Sequence, residues 1–89
     1  MKCPKEHAQA KRIRFAARAL REHRDLDTRN VAGSAENIAT WAMENAETGY
    51  YGCRGGGLLS DIRRARSLLA AARRFAKHGP PQRRRHWSR

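Results

Sequence analysis

Arginine and lysine recur between residues 54 and 89 at spacings that would let them bind a row of phosphates. This segment holds eleven Lys and Arg residues against a single Asp. On a helical wheel of about 100° per residue, several of these cations share an arc of roughly 100°. The cations on that arc are Arg63, Arg66, Arg73, Arg74 and Lys77. The guanidinium group of arginine binds phosphate through paired hydrogen bonds, so this face is typical of a nucleic-acid contact.

Two further groups of cations flank the helix that carries this face. On its C-terminal side, the tail combines Trp87 with the arginines Arg83, Arg84 and Arg85. An aromatic ring beside cations can stack on an unpaired base, while the alternative is a solvated tail that binds any polyanion without choice. On its N-terminal side, Arg54 could contact a phosphate from the stretch CRGGGLLS. This stretch lacks GKS, GKT and GxGxxG, so it predicts a flexible connector rather than a nucleotide-binding loop.

The remaining reactive side chains form no catalytic group, and the sequence predicts a protein that is not an enzyme and needs no cofactor. Cys3 and His7 are about one helical turn apart and could join Cys53 and a further histidine in a zinc site. The candidates for that histidine are His23, His78 and His86. Neither CxxC nor HxxxH is present. Free thiols are therefore the favoured interpretation, ahead of a disulfide and of a metal site.

The charge of the 89-residue chain is large and uneven. The net charge is +12, and residues 1–30 and 54–89 are basic, whereas residues 31–53 hold three Glu and no Lys or Arg. No apolar run approaches the ~18 residues of a membrane-spanning helix, and the N-terminus lacks the apolar segment of a signal peptide. We expect a soluble cytoplasmic protein with one small helical domain over 1–79 and a basic flexible tail over 80–89.

Apolar periodicity predicts the helices that position these residues. A first helix over 4–24 begins with Pro4, a residue favoured in the first turn. Its apolar residues follow the i, i+3, i+4, i+7 rule. They are Ile13, Ala16, Ala17 and Leu20. Phe15 and Ala19 lie on a second side, where the helix could contact another neighbour.

A second helix is predicted over 34–47, with Ser34 as its N-cap. Alternatively, it begins near Thr28 and contains Gly33. Gly49 is a typical residue for its C-terminal end. Trp41 lies off the apolar stripe of this helix. We favour a place in the core for it, and the alternative is an exposed anchor for a protein partner.

The third helix is expected over 60–78. Five glycines between residues 48 and 59 argue against a helix there, and Ser60 is the favoured N-cap. Gly79 followed by Pro80 ends the helix. Its apolar arc contains Ile62, Ala65, Leu68, Leu69, Ala72, Phe75 and Ala76. The predicted fold class is therefore all-α: a small three-helix domain, a Gly-rich loop before the third helix and a basic disordered C-terminal tail.

From these observations we expect a small basic protein that binds DNA or RNA, mainly through phosphates and with weak sequence choice. The alternative is a small inhibitor or adaptor that docks on an acidic protein or a nucleoprotein complex, at the size of phage-encoded anti-defence proteins. Trp41 and the acidic segment around it would then be a second contact surface. Large apolar residues are few, so a homodimer could complete a thin core. No membrane role is expected, because the apolar face of the third helix is mostly alanine.

Overall fold

Three helices joined by short connections make up the described part of the chain. The computed structural model describes residues 1–79, and all regular structure within them is helical. Helix α1 covers Pro4–Leu20, α2 covers Leu26–Thr48 and α3 covers Gly56–His78. Helix α2 packs against both α1 and α3, which contact each other less. The predicted all-α, three-helix fold is confirmed, whereas the tail predicted over 80–89 lies outside the described residues.

Helix α1 begins where the sequence predicts and ends one turn early. Pro4 opens it, as expected from its fixed φ. Its start lies beside the end of α2, since the Cys3 N–H donates to the Ala46 carbonyl at 2.9 Å. The helix ends at Leu20 rather than at residue 24, because residue 25 is extended and caps the next helix.

Helix α2 is capped by Asp25 and not, as predicted, by Ser34. The Asp25 carboxylate accepts hydrogen bonds from the Thr28 hydroxyl at 2.7 Å and from the Thr28 N–H at 2.8 Å. These two bonds, the hydroxyl first, hold the pKa of Asp25 below its usual value. Thr28 is fully buried beneath the cap. Ser34 is exposed in the middle of the helix, so the earlier start near Thr28 is the correct alternative.

Glycine inside α2 and at its end has two different roles. Gly33 lies within the helix, where a glycine costs about 1 kcal/mol relative to alanine. The neighbouring Ala32 and Ala35 are completely buried, and their packing offsets that cost. Gly49 adopts a left-handed φ of 71°, and its N–H donates to the Asn45 carbonyl. The predicted C-terminal end at Gly49 is confirmed.

Helix α3 begins at Gly56, so the prediction that residues 48–59 exclude helix is wrong for the last four of them. Gly55, not Ser60, is the N-cap. A side chain at Gly55 would overlap the Tyr51 carbonyl, so this close approach requires glycine. Leu58 is completely buried in the first turn. Its burial stabilises a helical start that the glycines alone disfavour.

The core is thin and rich in alanine, as the composition predicts. Within α3 the apolar arc is correctly phased, and its buried members are Ile62, Ala65, Leu69 and Ala72. The core position favoured for Trp41 is wrong, and the second side of α1, which carries Phe15 and Ala19, is exposed. Trp41 is 62% exposed and Phe15 is 80% exposed, because alanine fills the positions that face the neighbouring helices. None of the helices formed by residues 1–79 is long and apolar enough to cross a bilayer.

Cys3 and Cys53 form a disulfide, which corrects the expectation of free thiols. Their Cα atoms are 5.3 Å apart, within the range that a disulfide spans. The bond joins the residue that precedes α1 to the connection that precedes α3, a pairing between distant segments that no local spacing predicts. Disulfides persist mainly in oxidising environments, so this pair does not support the predicted cytoplasmic location.

Candidate nucleic-acid interface

The structure places the cations of α3 on its exposed side. The wheel assigns one side of this helix to packing, and the buried residues Ile62, Leu69 and Ala72 occupy it. The cations named from the sequence all lie on the surface: Arg63, Arg66, Arg73, Arg74 and Lys77. The helix also ends with Lys77 and His78 in its last turn, where cations complement the helix dipole.

A groove between α1 and α3 brings cations of the two helices together. It encloses about 300 Å³, and its lining residues are Gln9, Arg12, Ile13, Ala16, Arg66, Leu69 and Arg73. Arg12 comes from α1, whereas Arg66 and Arg73 come from α3. The buried Ile13 and Leu69 contribute apolar surface beneath them. The groove therefore combines an apolar floor with three guanidinium groups.

Arg12 is a candidate that the sequence interpretation missed. Lys and Arg surround the apolar stripe of α1 on several sides, so periodicity alone selects none of them. Arg12 precedes the buried Ile13 and lies one turn before Ala16, at the edge of the stripe. A residue at the edge of an apolar stripe is well placed to line a groove. Only the packing of α3 against this edge shows that Arg12 lines the groove between α1 and α3.

The ion pairs of the domain leave these cations available. Glu36 is paired with Arg18 and Arg21, and Glu47 Oε2 lies 3.0 Å from His7 Nε2. Within residues 1–79, Arg12, Arg66 and Arg73 have no ion pair. No carboxylate of the described residues lines the groove that they share. An anion entering this groove would therefore meet unneutralised guanidinium groups.

A second groove lies between α2 and α3 and contains Trp41. It encloses about 430 Å³, and its lining residues are Ser34, Asn37, Ile38, Trp41, Arg64 and Leu68. Arg64 is the only cation that residues 1–79 contribute to it, and the sequence interpretation did not single it out. This groove is therefore less basic than the groove between α1 and α3.

Several sequence candidates are not brought into either groove. Arg54 is exposed in the connection before α3, and neither set of lining residues includes it. Trp87 and the arginines Arg83, Arg84 and Arg85 lie outside the described residues. Their predicted part in binding stays a prediction.

Of the residues considered for zinc, both cysteines, His7 and His23 are engaged elsewhere, His78 is exposed at the end of α3, and His86 lies outside the described residues. The Cys3 and Cys53 sulfurs are bonded to each other, which removes both thiolates as ligands. His7 Nε2 lies 3.0 Å from a Glu47 carboxylate oxygen, and His23 Nδ1 accepts the Asp25 N–H. Glu6 lies close to the two sulfurs, but the bridge leaves it without thiolate partners.

No family model matches the chain, and no curated protein or solved structure is similar to it.

Proposed function

We propose that this protein binds nucleic acid through the exposed side of α3 and the groove between α1 and α3, and that it acts by binding rather than as an enzyme. One observation supports this most strongly. Arg12, Arg66 and Arg73 converge from two helices on one groove that no carboxylate lines. A site for a single carboxylate or phosphate would need no further cations. The exposed side of α3 carries additional cations along the helix, as binding to a polymer of phosphates requires.

Phosphate is the ligand group that this surface fits best. Each guanidinium offers up to five donors in a planar fork, which matches two oxygens of one phosphate. Apolar surface from Ile13 and Leu69 lies beneath the cations, and contacts near a low-dielectric surface are stronger than contacts in bulk water. Phosphate contacts fix position without reading bases, so we propose weak sequence choice.

The acidic part of the chain supports one orientation of the protein on a polyanion. Residues 31–53 carry three Glu and no Lys or Arg, and most of this segment belongs to α2. Glu44 and Glu47 are exposed there. A polyanion would be repelled from α2 and attracted to α3 and the adjoining edge of α1.

The test is a salt titration of binding to a labelled oligonucleotide, read by fluorescence anisotropy. Each neutralised phosphate contributes a log–log slope of about −0.9 on duplex or about −0.7 on a single strand. Five contacts from α3 predict a slope of roughly −4. The variant Arg66→Glu/Arg73→Glu should bind more weakly, with a slope that is flatter by about 1.4 to 1.8.

A matched control separates the groove from net charge. Arg24→Glu/Arg29→Glu changes the charge equally, at two exposed arginines outside the groove and outside α3. Its slope should stay close to that of the parent. Parent binding weaker than about 10⁻⁴ M at physiological salt would reject the proposal. Equal losses in the two double variants would reject the assigned site.

The exposed Trp41 favours a second candidate function, a small inhibitor or adaptor that docks on a larger protein. Exposed tryptophans are enriched at the energetic centres of protein interfaces, and the ring lies beside an open groove. A pull-down from cells, with and without nuclease, tests this candidate. A specific partner that survives nuclease and is lost with Trp41→Ala would support it. A partner set that disappears with nuclease would exclude it.

A further inference from the structure

Phe15 lies on the outer side of α1, away from the core. The buried residues of this helix are Ala10, Ile13 and Ala17, and a wheel of about 100° per residue puts Phe15 roughly opposite them. The side chain is 80% exposed. An exposed phenylalanine contributes none of the stabilisation that its burial would give the fold. The Phe15 ring is therefore accessible to a ligand.

Cations border the Phe15 ring on both sides. A shallow depression of about 360 Å³ beside it is lined by Ala8, Lys11, Arg12 and Phe15. A second depression of about 210 Å³ is lined by Lys11, Arg14, Phe15 and Arg18. In the part of the chain that the structure describes, neither depression is lined by a carboxylate. An uncharged partner, or a basic one, would gain little from this rim, whereas a polyanion is complementary to it.

Arg12 joins this surface to the groove of the proposed nucleic-acid site. Its side chain lines both the groove between α1 and α3 and the depression beside Phe15. A strand whose phosphates meet Arg66 and Arg73 can therefore continue past Arg12 onto the outer side of α1. The Phe15 ring then lies beside the path of the nucleic-acid backbone, as part of the same binding surface.

We infer that this surface binds single-stranded nucleic acid, with an unpaired base stacked on Phe15 and flanking phosphates on Lys11 and Arg12. The inference rests on the proposed function and names its substrate class. An exposed ring rimmed by cations is how sequence-tolerant single-strand binders hold their ligands. A duplex keeps its base faces stacked within the helix, so the Phe15 ring would gain little from duplex DNA.

The test compares an oligothymidylate of about 15 nucleotides with a duplex of equal length, at one salt concentration. The parent should bind the single strand more tightly. Phe15→Ala should weaken single-strand binding about 10-fold, within the range for loss of one stacked base. It should leave duplex binding and the salt slope nearly unchanged, because no charge is removed.

Three control variants identify stacking as the cause. Phe15→Tyr keeps a flat ring and should retain single-strand binding, whereas Phe15→Leu keeps apolar volume without a ring and should resemble Phe15→Ala. Trp41→Ala removes the exposed aromatic of the other groove and should have no effect. Circular dichroism should be the same for all variants, since both rings are exposed.

The outcomes separate this inference from the proposed function. If the parent binds neither oligonucleotide, both are wrong. If it binds both but Phe15→Ala binds the single strand as tightly as the parent does, only the inference is overturned. Equal weakening on single strand and duplex would also overturn it. Full retention by Phe15→Leu would indicate apolar docking, as on a protein, and would reject base stacking.

Discussion

Arg21 Nη1 donates a hydrogen bond to Glu36 Oε1 at 2.9 Å, and Arg18 Nε lies 3.4 Å from the other carboxylate oxygen. The Glu36 side chain is only 8% exposed. Arg18 in the last turn of α1 and Arg21 directly after that helix therefore neutralise one carboxylate that α2 carries into the interface between the helices. This relationship divides the cations of α1 into structural ones and those, such as Arg12, that remain available to a ligand.

Glu36→Gln should lower the free energy of unfolding by roughly 1–3 kcal/mol, because charge-assisted hydrogen bonds to a buried group are lost. Glu44→Gln, at an exposed position of the same helix, is the matched control and should change stability by less than about 0.5 kcal/mol. Urea unfolding measures both. Equal stability of the two variants would contradict a structural role for the pair.

Leu69→Ala should cost roughly 2–5 kcal/mol, since it removes a buried side chain from a thin core. Leu69 is 5% exposed, whereas Leu26 is 58% exposed at the start of α2. Leu26→Ala is therefore the control and should be nearly neutral. Thermal unfolding followed by circular dichroism measures the difference. A parent-like melting curve for Leu69→Ala would show that this residue is not part of the core.

Gly55→Ala should destabilise the protein by roughly 1–3 kcal/mol, as overpacked sites do. The added carbon would overlap the Tyr51 carbonyl, while no heavy atom lies within 4 Å of a carbon added at the adjacent Gly56. Gly56→Ala should be neutral or stabilising by up to about 1 kcal/mol, because alanine favours helix. Urea unfolding should therefore show changes in stability of opposite sign for the two variants. A stabilised Gly55→Ala would contradict the close contact between Gly55 and Tyr51 at the start of α3.

Reduction of the Cys3–Cys53 bond should lower the free energy of unfolding by roughly 2–4 kcal/mol. The bond closes a loop with a sequence separation of 50, and the open chain gains conformational freedom when unfolded. Urea unfolding with and without a reductant measures this effect. Cys53→Ser is the control, and its stability should not respond to the reductant. Two titratable thiols in the unreduced protein would contradict the bond.

Stability in acid should depend on Asp25. Its pKa is lowered from 3.8 by the Thr28 hydroxyl and then by the Thr28 N–H. A pKa that is lower in the folded state means that the unfolded state binds more protons in acid. The stabilisation is therefore fully present above the unfolded pKa and is lost as pH falls through the folded pKa.

The variant Asp25→Asn keeps an oxygen that can cap the helix but cannot titrate. Its melting temperature should fall less steeply than that of the parent below about pH 4. Asp25→Ala removes the cap and should melt lower than the parent at neutral pH as well. Parallel pH curves for the parent and Asp25→Asn would contradict this role.

The spacing of apolar residues predicted which side of each helix is buried. Packing between distant segments decided other features, such as where α2 begins, which the sequence did not reveal. Ile62 and Leu69 repeat at helical spacing, so their burial could be predicted without knowing any neighbour. The start of α2 could not be chosen from residue type, because Asp25 and Ser34 are both good N-caps. Burial of Thr28 behind Asp25 decided between them.

The membership of the candidate site also depended on contacts between segments that are distant in the sequence. The exposed side of α3 follows from the wheel, and the sequence named its cations. Arg12 joins them only because the edge of α1 that carries it packs beside α3. An exposed Trp41 was only the alternative interpretation, because large aromatic residues are usually buried, whereas in this domain alanine occupies the contacts between helices.

The disulfide also changes the connectivity of the molecule. Residues 3–53 form a closed covalent ring that contains α1 and α2, and α3 leaves this ring as a branch. A single cut in the connection 21–25 opens the ring without dividing the molecule, because α1 stays linked to the segment that leads into α3. Both helices that supply the basic groove thus remain parts of one covalent piece after a cut that would separate them in a linear chain.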